Sequence, residues 1–383
     1  MSHAAKTNIR IEHLTNTDQF DAIEPDWSRL HTLSTSAGFF NSWYWNRLWW
    51  EHYGNLGTLH IVVVYNNDVV EAIAPLYRCT TRALRVASAD TIRFIGSGGN
   101  TSPDDLDVLL NPQANDEIIK ALTDDVLNLH SLERLQFSDL PEHSQFLHTL
   151  LERATELGWS MPLLQNQTRC VQALPDTISA YEKSLSRNAR KQRKRRRRKL
   201  KQAGEFKFHR CRSPEEIDLA FADLVTLHQT RHASKGEQGN FGSERYRSFH
   251  LALMKEALKR DELRLIVLVL NEKTIGIEYS FFYKGTIMFF QNGFDPKYEA
   301  LSPGHLSMMH IIDEGIKEGA RNMDLLKGEY EYKLSYAKDQ TLTVGVDAWR
   351  SNLMSIASRA VRSIKEARNN EVNRVSPYLR APR

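Results

Sequence analysis

The sequence predicts an α/β (α+β) chain made of two tandem units, each a mixed sheet flanked by helices. Three observations carry this reading. Apolar residues alternate at strand period over short runs, as in Ile275, Ile277, Tyr279 and Phe281. Between such runs, apolar residues recur at helical spacing, as in Leu306, Met309, Ile312 and Ile316. The order of elements also repeats. Leu59 to Tyr65, a turn at Asn66-Asn67-Asp68 and Val69 to Tyr77 parallel Leu263 to Leu270, a turn at Asn271-Glu272-Lys273 and Thr274 to Tyr283. In each half a helix (Asp116 to His130, His305 to Gly319) and a short strand (Arg134 to Phe137, Asn322 to Leu326) follow.

These patterns give a first unit over 1–177, a basic helical connector over 178–204, a second unit over 205–352, and a C-terminal helix and basic tail over 353–383. With 383 residues and 41% hydrophobic content, the chain can bury a full core. Cys79, Cys170 and Cys211 are odd in number and lack metal-type spacing, which fits a reducing compartment. No apolar run approaches the length needed to cross a bilayer. A cytoplasmic protein is expected.

Near the start, Phe39, Phe40, Trp43, Tyr44, Trp45, Trp49, Trp50 and Tyr53 form an aromatic cluster, with Trp45, Trp49 and Tyr53 on one helix face. Core packing is the first reading, and a stacking platform for a sugar ring or acyl chain is the alternative. In the connector, Arg187 to Lys201 holds eleven Lys or Arg in fifteen positions. Without it, 40 basic side chains would face 47 acidic ones, for a net charge of −7 in place of +4. Tyr181, Leu185 and Ala189 share one face, so a docked helix is expected to begin there and to continue over Arg190 to Lys199 with no apolar anchor. The charge is read as a solvated face, as a phosphate-binding surface with Arg190, Arg193 and Arg197 as its ligands, or as a contact for nucleic acid or an anionic membrane. Specific DNA binding is excluded by the acidic remainder and the lack of a recognised DNA-binding motif. His228 and His232 have no third ligand in view, so they read as a helix-surface pair and no metal is expected.

In the second half a two-residue turn at Lys284-Gly285 joins two strands. If Tyr283 faces Thr286, counting inward sets Glu278 opposite Gln291, two polar side chains inside an apolar hairpin. Ser302-Pro303-Gly304 then opens a helix at His305, with Ser302 as N-cap and Pro303 as first helical residue. Free backbone N–H groups at such a start suit a phosphate or an oxyanion. The following strand ends in the polar cluster Lys327, Glu329, Tyr330, Tyr332 and Lys333.

The string QNGFDPKYEALSPGHLSMMHIIDEGIKEGARNMDLLKGEYEYKLSYA, from Gln291 to Ala337, resembles the acetyltransferase domain of GNAT-superfamily proteins of the CelD/BcsL cellulose-biosynthesis type, which are related to the FemAB transferases. FFNSWYWNRLWWEHYG and VVEAIAPLY in the first half are similar to the usual opening of these proteins. The resemblance implies tandem GNAT-like domains of FemAB-like architecture, and acyl transfer from acetyl-CoA to an amine or hydroxyl of an envelope or polysaccharide precursor. The family's Arg/Gln-x-x-Gly-x-Gly/Ala string does not precede His305, so aminoacyl-tRNA stays open as donor, as does a non-catalytic scaffold in exopolysaccharide assembly. Within that chemistry Glu278, desolvated by the hairpin, is the candidate base, Gln291 orients the acceptor or the oxyanion, and Asp324 is a second base candidate. Ser302, Pro303, Gly304, His305, Lys327 and Lys333 are the candidate donor-binding residues.

Overall fold

The computed structural model describes residues 8–34, 37–83, 87–160, 163–233, 236, 238–328, 333, 336–337 and 339–350. Glu329, Tyr330, Tyr332 and the helix expected over 353–383 lie outside the described residues.

In the first half the strands are β1 (Ile9–Leu14), β2 (Thr58–Leu59), β3 (Ile61–Asn66), β4 (Val69–Ala74), β5 (Leu76–Ala83), β6 (Ala87–Phe94), β7 (Leu109–Leu110), β8 (Arg134–Pro141) and β9 (Leu163–Ala173). Its helices are α1 (Thr17–Ala22), α2 (Glu24–Leu33), α3 (Trp43–Tyr53), α4 (Asp116–Asn128) and α5 (Gln145–Glu156). A connector, α6 (Ile178–Ser184) and α7 (Arg187–Ala203), leads to β10 (Phe206–Arg210), α8 (Pro214–Ala233), α9 (Glu244–Lys259), β11 (Leu263–Leu270), β12 (Lys273–Tyr283), β13 (Thr286–Phe294), α10 (Pro303–Lys317), β14 (Asn322–Lys327) and β15 (Asp339–Trp349).

The predicted repeat is present, and it is interlocked. An 11-stranded mixed sheet runs β10-β11-β12-β13-β14-β9-β15-β8-β6-β5-β2, and a smaller sheet runs β1-β3-β4-β7. In the second half, β14 returns parallel to β13 through α10. In the first, β8 returns parallel to β6 through α4. The last strands are then exchanged: β9 pairs with β14 of the second half, and β15 pairs with β8 of the first, with β9 and β15 antiparallel at the centre.

Two of the expected first-half strands are each split in two. Pro75, which has no N–H to give a ladder, separates β4 from β5, and the two pieces join different sheets. Similarly, His60 separates β2 from β3. The aromatic cluster is core: Trp45, Trp49, Tyr53, Phe39 and Phe40 are buried, with Phe39 against Phe281 of β12 at 4.1 Å between ring centres. Tyr44 donates to Glu262 at 2.6 Å, and Lys284 donates to the carbonyls of His31 and Ala37. The first half thus braces the β12–β13 hairpin.

The connector departs from the single helix that was expected. It breaks at Leu185, and Ser186 caps α7 by accepting from the Ala189 N–H. It also has anchors: Leu200 is buried, and Arg193 is buried in an ion pair with Asp313 of α10. Arg197 shares Asp313, and Glu182 lies 3.3 Å from both guanidinium groups.

The halves meet in a charge cluster. Arg169 of β9 pairs with Asp324 of β14, which is 0% exposed, and with Asp105 of the first half's loop. Replacing Arg169 with Leu leaves the Asp324 carboxylate buried without its cation. The expected cost is about 3–5 kcal/mol in chemical denaturation, well above that of Arg153→Leu at a solvent-screened pair.

Candidate active site

β13 and β14 lie side by side only from Thr286–Met288 against Asn322–Asp324. Beyond Met288 they part, and a cavity of about 650 Å³ opens between them. Phe289, Phe290, Gln291 and Asn292 line one side, and Leu325, Leu326 and Lys327 the other. His228, Arg231 and His232 of α8, Tyr246 of α9, Met308 of α10 and Ser102 and Asp104 of the first half complete most of the wall. The helix α8 can come this close because β13 carries Gly293: a Cβ there would stand 2.8 Å from the His228 backbone nitrogen.

Glu278 lines this cavity, but its partner is not the one counted from the turn. Tyr283 faces Thr286 as expected, while a bulge between Tyr279 and Ser280 shifts the register, so Glu278 faces Asn292 and Gln291 faces Tyr279. The extra residue is Phe290, whose ring packs against His250, Tyr279 and Phe281. Alternation of apolar residues carries no sign of such an insertion. Glu278 is 1% exposed, and burial drives its carboxyl well above the usual glutamate range, opposed by a hydrogen bond from Asn292 and by the Arg231 charge. Arg231 donates to Asn292 Oδ1 at 2.9 Å, which leaves the Asn292 amide N–H to face Glu278. The second carboxyl oxygen, Oε2, has no hydrogen-bond partner among the described residues.

Gln291 lines the same cavity beside His228 and Tyr246. His228 packs against His232 with ring centres 4.3 Å apart, but it is buried and not on the helix surface as the spacing suggested, and desolvation lowers it to about 4. It is neutral at physiological pH.

A smaller cavity of about 310 Å³ shares Arg231, Asn292 and Met308 with the first and is lined by Ser302, Pro303, Gly304 and His305. The predicted helix start therefore opens onto it. Ser302 holds the N-cap position with a left-handed backbone (φ 61°), and its side chain makes no cap bond, so helix N–H groups stay free of it. His305 bonds the Tyr336 hydroxyl at 2.8 Å.

Other predicted residues are occupied elsewhere. Asp324 sits in the charge cluster, paired with Arg169, and accepts from the Leu326 N–H at 2.8 Å. The Lys327 ammonium pairs with Asp139 at 2.6 Å and donates to the Pro103 carbonyl at 2.7 Å. Lys333 donates to the carbonyls of Leu326 and Lys327, and burial lowers its pKa. Both lysines line the larger cavity but spend donors on backbone and carboxylate. Arg190, Arg193 and Arg197 line neither cavity. Asp104, Arg231, Asn292 and Tyr246 were not anticipated, because no motif around them points to a site.

The raised Glu278 carboxyl has a thermodynamic signature. Between its ordinary and its folded pKa the folded chain holds a proton that the unfolded chain has lost, so stability falls as pH rises through that interval. Buried Asp104 and Asp107, each pushed up to about 7, act in the same direction between about 4 and 7. Glu278→Gln removes one contributor. Denaturation midpoints at pH 5, 7 and 9 should therefore fall less steeply in the variant than in the wild type, with the variant the more stable at high pH.

Residues 187–334 match the family model of the acetyltransferase (GNAT) domain. No curated protein matches the chain. Among solved structures, FemX is similar over 88% of this chain and 96% of its own, with a TM-score of 0.57 at 11% identity. A conserved protein of unknown function from Bacteroides thetaiotaomicron is similar over 88% of this chain and 99% of its own, with a TM-score of 0.51 at 12% identity. The parted strands and the helix that opens beside them thus lie in the segment matched by the GNAT model, within a chain whose whole fold is of the tandem GNAT type.

Proposed function

We propose that the chain is a cytoplasmic acyltransferase that moves an acyl group, acetyl from acetyl-CoA, onto an amine or hydroxyl of an envelope or polysaccharide precursor, the acceptor class that the CelD/BcsL resemblance implies. The observation that carries this is the buried Glu278, one of whose carboxyl oxygens has no hydrogen-bond partner among the described residues, in a cavity that adjoins the start of α10.

The two cavities divide the work. The α10 start, with Gly304 open on its outer side and Arg231 across from it, suits the donor's pyrophosphate. The parted β13 edge exposes backbone groups toward the acyl carbonyl. In the larger cavity the acceptor nitrogen attacks that carbonyl. Its proton passes to Glu278, the N–C bond forms, the C–S bond breaks, and the thiolate leaves to take up a proton. A carboxyl whose pKa is raised by burial is better matched to an amine's proton than an exposed glutamate would be. The chain Arg231–Asn292–Glu278 fixes the carboxyl's orientation.

A second reading, with aminoacyl-tRNA as donor, draws on α7. Arg187, Arg190, Lys191, Lys194, Arg195, Arg198 and Lys201 are exposed and make no ion pair among the described residues. Such a row would give RNA binding that weakens steeply with salt.

Calorimetric titration with acetyl-CoA, and with uncharged tRNA at two salt concentrations, separates the readings. Saturable acetyl-CoA binding is expected, and its absence removes the first reading. With an acceptor in hand, Glu278→Gln should lower kcat about 10²–10⁴-fold and abolish the acidic limb of the pH profile. Unchanged turnover across pH would remove Glu278 as the base.

A further inference from the structure

Two buried carboxyl groups, one from each half of the chain, line the larger cavity, and each has one oxygen without a hydrogen-bond partner among the described residues: Glu278 Oε2 and Asp104 Oδ1. Asp104 is 0% exposed. Its other oxygen accepts from the Lys327 N–H at 2.7 Å, which pins the carboxyl in place. The Lys327 ammonium does not satisfy Oδ1. It stands 3.7 Å away, drawn instead to Asp139 and the Pro103 carbonyl. An acceptor oxygen left this way costs stability in the free protein, and a ligand that donates to it recovers that cost.

We propose that the acceptor is a polyhydroxylated amine of the amino-sugar type, with its amine at Glu278 and ring hydroxyls donating to Asp104. The assignment rests on the acyl-acceptor reading of the same cavity and goes beyond it by naming the substrate class and the residue that selects it. The same wall carries Gln238, Asn240 and Gln291. Each amide both donates and accepts, as each hydroxyl does, so the wall matches a ring bearing several O–H groups. A second ammonium in place of the hydroxyls would meet Arg231, Lys327 and Lys333, which line the same cavity. A neutral hydroxyl meets no such repulsion. Desolvation also raises Asp104, to about 7, against the Lys327 and Arg169 charges and alongside those of Asp324 and Asp139.

Glucosamine and cyclohexylamine present the same ring size and one amine, and differ in hydroxyls. Their acetylation from acetyl-CoA, and their binding by calorimetry, are measured with wild type and with Asp104→Asn, in which the amide oxygen still accepts from the Lys327 N–H while an NH₂ replaces Oδ1. In wild type the glucosamine KM is expected to be at least about tenfold below that of cyclohexylamine. Asp104→Asn should raise the glucosamine KM about tenfold, leave kcat in place and leave cyclohexylamine unaffected. A variant that lowers kcat equally for both amines would make Asp104 part of the general architecture and overturn the proposal. Equal wild-type KM values overturn it as well, whether or not the variant folds. Binding of glucosamine that depends on Asp104 without any acetyl transfer would uphold the selective site and remove acetyl-CoA as donor, so the two readings fail separately.

Discussion

Arg169 reaches from β9 to two carboxylates, Asp324 on β14 and Asp105 in the first half's loop, and the position of everything around the cavity follows from this contact. β14 has run parallel to β13 for only three pairs when Asp324 is drawn to β9. Its register with β9 then slips between Asp324 and Lys327, where Leu326 takes a left-handed backbone (φ 58°). The strand is bent away from β13, and the space it leaves is the cavity. The same bend carries Lys327 to Asp139 and the Pro103 carbonyl, which holds the loop bearing Asp104 against the opening. Buried ion pairs are weak as sources of net stability, but they fix geometry well because any displacement strands a charge. Here they set a gap between strands that hydrogen bonding alone would close.

Electrostatics inside the cavity are governed by burial more than by pairing. Glu278 and Asp104 are both raised, and His228 is lowered, and desolvation is the leading cause in each case. The cations nearby are largely committed: Lys327 to Asp139, Lys333 to two carbonyls, Arg231 to Asn292. The cavity therefore offers acceptor oxygens and neutral donors in place of free positive charge. The spaces proposed for the donor's phosphates and the acceptor's amine thus adjoin but differ in chemistry.

Much of this was legible in the sequence, and the reasons for the rest are local. The hairpin, the crossover helix and the strand after it follow from period-two and helical spacing over Ile275 to Leu326, and the repeat follows from the same patterns in the first half. The partnership of Glu278 was misjudged because a single inserted residue, Phe290, leaves hydrophobic alternation intact while shifting every pair beyond it. Asp324 and Lys327 looked available because their partners, Arg169, Asp139 and the Pro103 carbonyl, lie far away along the chain. Asp104 was invisible as a cavity residue for the same reason: it serves the opposite half. Pro75 gave a fair warning, since a proline within a strand pattern marks an edge or a break.

The exchange of last strands also bears on how the chain is made. As the protein emerges during synthesis, β8 and β9 are complete long before β15, which is their shared neighbour in the finished sheet. Until those residues arrive, the first half carries unpaired strand edges, the kind of surface that attracts foreign strands. The second half cannot close its own sheet either, because β14 waits for a strand donated by the first. Neither half is a self-sufficient folding unit, and the chain as a whole resembles a domain-swapped dimer fused end to end. Assembly of the sheet centre is thus a late, nonlocal event, and the cavity beside β14 takes its shape only when nearly the whole described chain is in place.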